Sequence, residues 1–265
     1  PQLCMAVAQA CGDDAPALTD AAAVAIELLH CASLVHDDMP CFDDADTRRG
    51  LPTVHKLFGE PLALLAGDGL IVMAYQTLAQ AALLQPAHAH RLAALLQTVS
   101  DGTGAPDGIV AGQAWECDPV ADLGPYQRAT TGARFVAATC ARAQAARGDG
   151  HAWRALGECL GEAYQVADDI RDVVFEADQL GKPTGQDAAH HRPSAVLDLG
   201  LGPAMDRFRD LMSDAVASVP DCPARSAMRK LVLQESARLI PPATCERIDR
   251  DRAQSTRLLH RPAVA

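Results

Sequence analysis

Along most of the chain apolar residues recur at intervals of three and four, as in "AAAVAIELLHCASLVH", which is the spacing of one face of an α-helix. No clean alternation of apolar and polar residues around a hairpin turn is found, so the pattern predicts an all-helical chain without strands. Polar, Gly- and Pro-rich punctuation such as "CGDDAPALTD", "MPCFDDADTRRGLP", "DGTGAPDG" and "EADQLGKPTGQDAAHHRP" divides it into roughly ten helical segments. No fixed-period repeat, linker or composition shift separates them, which predicts one domain over residues 1–265. One helix is expected from about Thr19 to Asp38 and another from about Ala152 to Phe175. The most apolar run, Leu62 to Leu84, is broken by Asp68 and Gln76, so it is expected to be a buried core helix rather than a membrane span.

Composition narrows the function classes. Hydrophobic residues make up 49% and charged residues 22%, an ordinary soluble balance able to build a core. The net charge is -11, with no long basic run, so nucleic acid and anionic membrane surfaces are poor candidate partners. The nine cysteines are scattered and form no Cys-x-x-Cys pair, which predicts reduced thiols in a cytoplasmic protein. "PQLCMAVAQACGDDAP" lacks the basic start and long apolar centre of a signal peptide, and no anchor is expected.

Charge patterning changes the picture. In "HDDMPCFDDADTRRG" the residues Asp37, Asp38, Asp43, Asp44 and Asp46 are crowded together, and Arg48 and Arg49 follow at once. Like charges this close repel unless something positive lies among them. In "YQVADDIRDVV" Asp168 and Asp172 are four apart and Asp169 is three before Asp172, so all three carboxylates are expected on one side of a helix. Their neighbours Val166, Ala167, Ile170, Val173 and Val174 are apolar. A solvated helix face and a cation site both account for one such trio. Two clusters, each followed by basic residues (Arg48 and Arg49, then Lys182), favour a hard divalent cation such as Mg²⁺ shared with a phosphate. The polar stretch from Glu176 to Arg192 is expected to act as a mobile lid.

"LVHDDMPCFDDADTRRGLPTVHKLFGE" and "YQVADDIRDVVFEADQLGKPTGQD" resemble the two aspartate-rich motifs of the trans-isoprenyl diphosphate synthases. "AGDGLI" and "GIVAGQAWE" resemble further blocks in the same order, and the likeness runs from about Gln9 to Ile240. It is nearest to the bacterial geranylgeranyl diphosphate synthases of carotenoid and bacteriochlorophyll pathways. The resemblance implies an all-α, single-domain orthogonal helical bundle with a central cavity. It implies condensation of isopentenyl diphosphate with an allylic diphosphate (dimethylallyl, geranyl or farnesyl) by ionisation, condensation and elimination. It further implies a cytoplasmic homodimer with about three Mg²⁺ ions at each site.

By the same resemblance Asp37, Asp38 and Asp43, in the version of the motif with two extra residues, hold metal together with Asp168, Asp169 and Asp172. Arg48 and Lys182 contact the allylic diphosphate, His30 and Arg49 contact isopentenyl diphosphate, and Thr131 and Gln165 line the reacting end. Ala32 and Ser33, with Leu28 and Leu29 one turn earlier, set the chain-length floor. An alanine at Ala32, where farnesyl-forming relatives carry an aromatic, points to the geranylgeranyl product. Asp44 and Asp46 are expected to be solvated or outside the ligand set, with Asp46 pairing a nearby arginine, and His36 to be a capping or core histidine.

The chain departs from the pattern at Thr130, where a lysine is usual, with Arg134 one turn on in place of a leucine-like residue. A basic segment and a helix are expected to precede Pro1. The alternatives are a non-catalytic or weakly active partner subunit, a farnesyl diphosphate synthase, and a terpene cyclase, the last opposed by the intact "DDIRD".

Overall fold

The computed structural model describes residues 2–117, 132–146, 148–175 and 194–259. Twelve α-helices are found among these residues. In the first half they are α1 (Gln2–Ala10), α2 (Pro16–Asp37), α3 (Val54–Phe58), α4 (Glu60–Leu84), α5 (Leu92–Thr103) and α6 (Ile109–Glu116). The second half adds α7 (Ala133–Ala145), α8 (Arg154–Val174), α9 (Ala195–Leu199), α10 (Leu201–Ser218), α11 (Arg225–Leu239) and α12 (Pro242–Leu259). The expectation of a strandless chain fails at one place: β1 (Thr47–Arg48) pairs antiparallel with β2 (Leu51–Pro52). Two residues per strand are too few to carry a readable alternation.

Sequence chemistry explains the ends of the two long acidic helices. α2 begins at Pro16, whose missing N–H is no loss in a first turn. Ahead of it, Asp13 Oδ1 accepts from the Ala15 N–H and the Thr19 hydroxyl at 3.1 and 2.9 Å. The helix stops before Pro40, which cannot continue it. α8 ends where Phe175 turns extended (φ -108°, ψ 150°).

α2 packs most extensively on α4, and α8 packs between α7 and α10. Two cores result. Leu18, Ala22, Ala25 and Leu29 of α2 meet Leu78, Leu95 and Val99. Leu156, Leu160, Val166 and Ile170 of α8 meet Phe208, Met212, Met228 and Val232. α7 bridges them, with Ala143 in the second cluster and Ala141 and Ala145 in the first.

Close approach of α7 and α8 depends on glycine. A Cβ at Gly157 would lie 2.6 Å from Val136 Cα, and one at Gly161 would lie 2.6 Å from Gly132 Cα. Both obstacles are backbone and cannot rotate away. Buried Arg91 ties the bundle across its end: it donates to both Asp14 oxygens at 2.6 and 2.8 Å and to the Ala145 carbonyl at 2.6 Å.

α4 corrects a sequence expectation. The helix forms, but it is not enclosed: its inner face is made mostly of small residues (Ala63, Gly67, Ala74, Ala81) that fit against α2. Leu62, Leu65, Val72 and Met73 on the other side are more than half exposed. The helix is apolar on two faces, and the described residues cover one.

Candidate active site

The first acidic cluster is organised by the end of α2. Past Asp38 the chain folds back, with the Asp43 N–H donating to the Asp37 carbonyl at 3.0 Å and the Ala45 N–H to the Asp38 carbonyl at 3.1 Å. Asp43 is thereby brought beside the helix end that carries Asp37 and Asp38. The β1–β2 hairpin then returns Arg48 to the same place. Its two-residue turn, Arg49 and Gly50, has positive φ at both positions (54° and 77°), as the tightest hairpin turn requires.

Arg48 Nε donates to Asp38 Oδ1 at 2.7 Å, and Nη2 donates to Asp37 Oδ2 at 3.2 Å. Asp38 is nearly enclosed, and burial raises its carboxyl pKa against the opposing pull of Arg48. Of the outer acids, Asp44 and Asp46 are exposed, as expected. The partner expected for Asp46 is corrected: Lys56, not an arginine, pairs with Asp46 at 2.9 Å and Asp44 at 3.2 Å.

The second cluster is less uniform than its spacing predicts. Asp168 and Asp172, one turn apart on α8, are both half-buried. Asp169 lies about 100° around the helix from Asp168 and is buried at 1% exposure. Its Oδ1 accepts from Gln165 Nε2 at 3.0 Å and its Oδ2 from the Ala195 N–H at 2.7 Å. The three carboxylates share one side of α8, as expected, but Asp169 is turned inward and differs from the other two in its surroundings. Asp169 anchors the start of α9 to α8, and Gln165 steadies Asp169.

Further up α2, His30 is half-buried and in contact with Arg134 of α7 through Nδ1. Burial, then Arg134, Arg49 and Arg48 in that order, push its pKa down to about 3. The Ser33 hydroxyl donates to the His30 carbonyl at 2.8 Å. Ala32 and Leu29 are buried at 2% and 3% exposure, and Leu28 is half-buried against the first core. His36 is neither a cap nor a core residue. Its ring lies across α4 where a Cβ on Gly67 would collide with it, with Nε2 3.3 Å from the Leu64 carbonyl. Thr131 and Lys182, with Thr130, the expected lid from Glu176 to Arg192 and the side chain of Glu116, lie outside the described residues.

Among the described residues no three His, Cys, Asp or Glu side chains converge closely enough to hold a metal ion by themselves. A magnesium ion bound here would need waters and substrate phosphate to complete its shell. A buried Asp38 whose ionised form is disfavoured, beside Asp37 and Asp43, is a donor set that a hard cation would relieve. Sequence reasoning missed Lys56 and the Ala195 amide. Lys56 stands ten to twelve residues from its partners and carried no periodic signal, while "RPSAV" marked only that a helix begins near Ala195.

Comparison with known proteins places these features in a group. The polyprenyl synthetase family profile matches residues 1–226. A geranylgeranyl diphosphate synthase of Cereibacter sphaeroides is 50% identical over 248 residues, covering 94% of this chain and 85% of that protein. A geranylgeranyl diphosphate synthase of Rhodobacter capsulatus is 46% identical, covering 93% and 85%. Among solved structures, a geranyltransferase from Helicobacter pylori complexed with magnesium and isoprenyl diphosphate superposes with a TM-score of 0.77 at 27% identity, over 89% of this chain and 82% of that one. The fold is the helical bundle of the isoprenoid synthases.

The Arg48 clamp generates a test. Arg48→Gln leaves buried Asp38 without its guanidinium, which is expected to cost about 1–2 kcal/mol after discounting for a partly exposed arginine. Because the folded-state pKa of Asp38 is raised, the carboxyl is neutral below it and needs no counter-charge. The loss, measured by urea unfolding without metal, is therefore expected to shrink as pH falls through that pKa. A deficit that grows on acidification excludes the clamp.

Proposed function

The chain belongs to the polyprenyl synthetase family, and on that premise we propose how its two acidic helix ends carry out prenyl transfer. It is a trans-prenyltransferase that joins isopentenyl diphosphate to an allylic diphosphate and yields geranylgeranyl diphosphate. The observation that carries the mechanism is the Arg48 clamp on Asp37 and Asp38 at the end of α2.

We assign Asp37, Asp38 and Asp43 on one side and Asp168 and Asp172 on the other as holders of magnesium, about three ions in all, with Asp169 positioning the second group. Magnesium, when bound, neutralises the allylic diphosphate and stabilises it as a leaving anion. Arg48, the counter-ion of Asp37 and Asp38 in the ligand-free protein, is the cation placed to exchange those carboxylates for the diphosphate. The carbon–oxygen bond of the allylic substrate breaks, and its diphosphate leaves with the electron pair. The double bond of isopentenyl diphosphate then attacks the allylic carbon, and a proton is lost beside the new bond to the departed diphosphate. His30 and Arg49 are assigned to the second diphosphate, Lys182 with Arg48 to the first, and Thr131 and Gln165 to the reacting end. A dead partner subunit would have no use for this much carboxylate.

The uncovered face of α4 supports a homodimer. Leu62, Leu65, Val72 and Met73 form one exposed stripe, and a second copy presenting the same stripe would cover it. α4 is long and apolar enough to cross a membrane by composition. Its opposite face, however, is already committed to α2 through Gly67, Ala74 and Leu78. A cytoplasmic location is part of the same proposal.

Three outcomes are expected. Asp37→Ala and Asp168→Ala each lower turnover roughly a thousandfold with Mg²⁺, isopentenyl diphosphate and any allylic primer. Near-normal rates in both would remove the metal assignment, and no prenyl transfer by the wild type would favour a partner subunit. Ala32→Phe, if Ala32 sets the floor, shifts the separated products from geranylgeranyl to farnesyl diphosphate; an unchanged product clears Ala32 of that role. Sedimentation of the Leu65→Glu, Val72→Glu double variant is expected to show folded monomers where the wild type shows dimers, and a persisting dimer places the interface elsewhere.

A further inference from the structure

Three guanidinium groups act on His30, yet they are not alike. Arg48 is engaged by Asp37 and Asp38. Arg49 sits exposed at the hairpin tip and makes no ion pair among the described residues. Arg134 is partly enclosed, and burial pulls its pKa down; Glu27 and Tyr164 act on it only at longer range. Its one hydrogen-bonding partner among the described residues is the His30 ring. An arginine withdrawn from water without a carboxylate costs stability unless an anion completes it.

We propose that Arg134 is a further substrate-binding residue, which together with His30 and Arg49 holds the diphosphate of the homoallylic substrate, isopentenyl diphosphate. An arginine can only donate, so the close contact makes His30 Nδ1 an acceptor, while Nε2 lies 3.3 Å from the same guanidinium nitrogen. Arg134 and Arg49, neither with a carboxylate hydrogen-bond partner among the described residues, make a pocket beside His30 for an anion that brings no metal of its own.

Position separates this pocket from the metal-bound diphosphate. His30 precedes Asp37 by seven residues on α2, about 10 Å along the axis at the helical rise. Condensation needs two diphosphates kept apart, one departing and one staying, and a pocket at His30 serves the one that stays. Arg134 is thus assigned to the homoallylic partner and not to the allylic diphosphate that the lysine usual at Thr130 would hold.

This assignment rests on the prenyl-transfer reading, and two measurements separate their fates. Inorganic diphosphate binding is measured by calorimetry in EDTA for the wild type, Arg134→Leu and Arg134→Lys, with melting curves of each ligand-free protein. The leucine variant is expected to weaken metal-free diphosphate binding about tenfold or more, with partial recovery by lysine. Its ligand-free melting temperature is expected to hold or rise, because an unpaired charge has left a half-buried position. In steady-state kinetics the Michaelis constant for isopentenyl diphosphate is expected to rise about tenfold, well beyond any change for the allylic substrate. A ligand-free destabilisation with unchanged diphosphate affinity makes Arg134 a structural residue and overturns the proposal. A rise confined to the allylic Michaelis constant overturns it as well. A wild type that binds diphosphate without metal yet transfers no prenyl group overturns the prenyl-transfer reading and leaves the anion pocket standing.

Discussion

Negative charge gathered at the ends of two apolar helices is the constraint around which this molecule is arranged. Each carboxylate drawn from water toward the interior loses hydration, and each neighbour of the same sign raises that cost. The protein answers with local counter-charges of different permanence. Asp169 is satisfied for good by a backbone amide and a glutamine. Asp37 and Asp38 are satisfied by Arg48, a long side chain that can leave. The first arrangement holds a structure together, and the second is the exchangeable one on which the proposed cation site rests.

The scaffold turns these ends into a site by bringing helices unusually close. Glycines one turn apart on α8, Gly157 and Gly161, let its backbone touch that of α7. α7 in turn contributes to both hydrophobic clusters and carries Arg134 to His30 on α2. The acidic helices α2 and α8 are thus related through α7, and a shift of that helix would disturb both clusters together. Arg91, joining Asp14 to the Ala145 carbonyl, fixes its far end.

What the sequence revealed follows the range of the interactions involved. Helices were legible because apolar spacing is a local property, and the acidic motifs because their spacing falls within a turn or two. The inward turn of Asp169 was not, because it depends on an amide 26 residues away. Lys56 was missed for the same reason, its partners lying across a hairpin too short to announce itself. The open face of α4 misled in another way: an apolar helix reads the same whether this chain or a second one covers it.

Arg49 carries a lesson about how such a chain can change. Its backbone sits in the left-handed region (φ 54°), where glycine or asparagine is at ease and an arginine costs on the order of 1 kcal/mol. Substitutions at that turn that relax the backbone would be rewarded by any selection for stability alone. Each of them would also delete a cation whose field reaches His30. Lineages drifting toward a sturdier fold would thus lose charge at this hairpin first, and under the anion-binding proposal an arginine retained there is a record of continued demand for the anion.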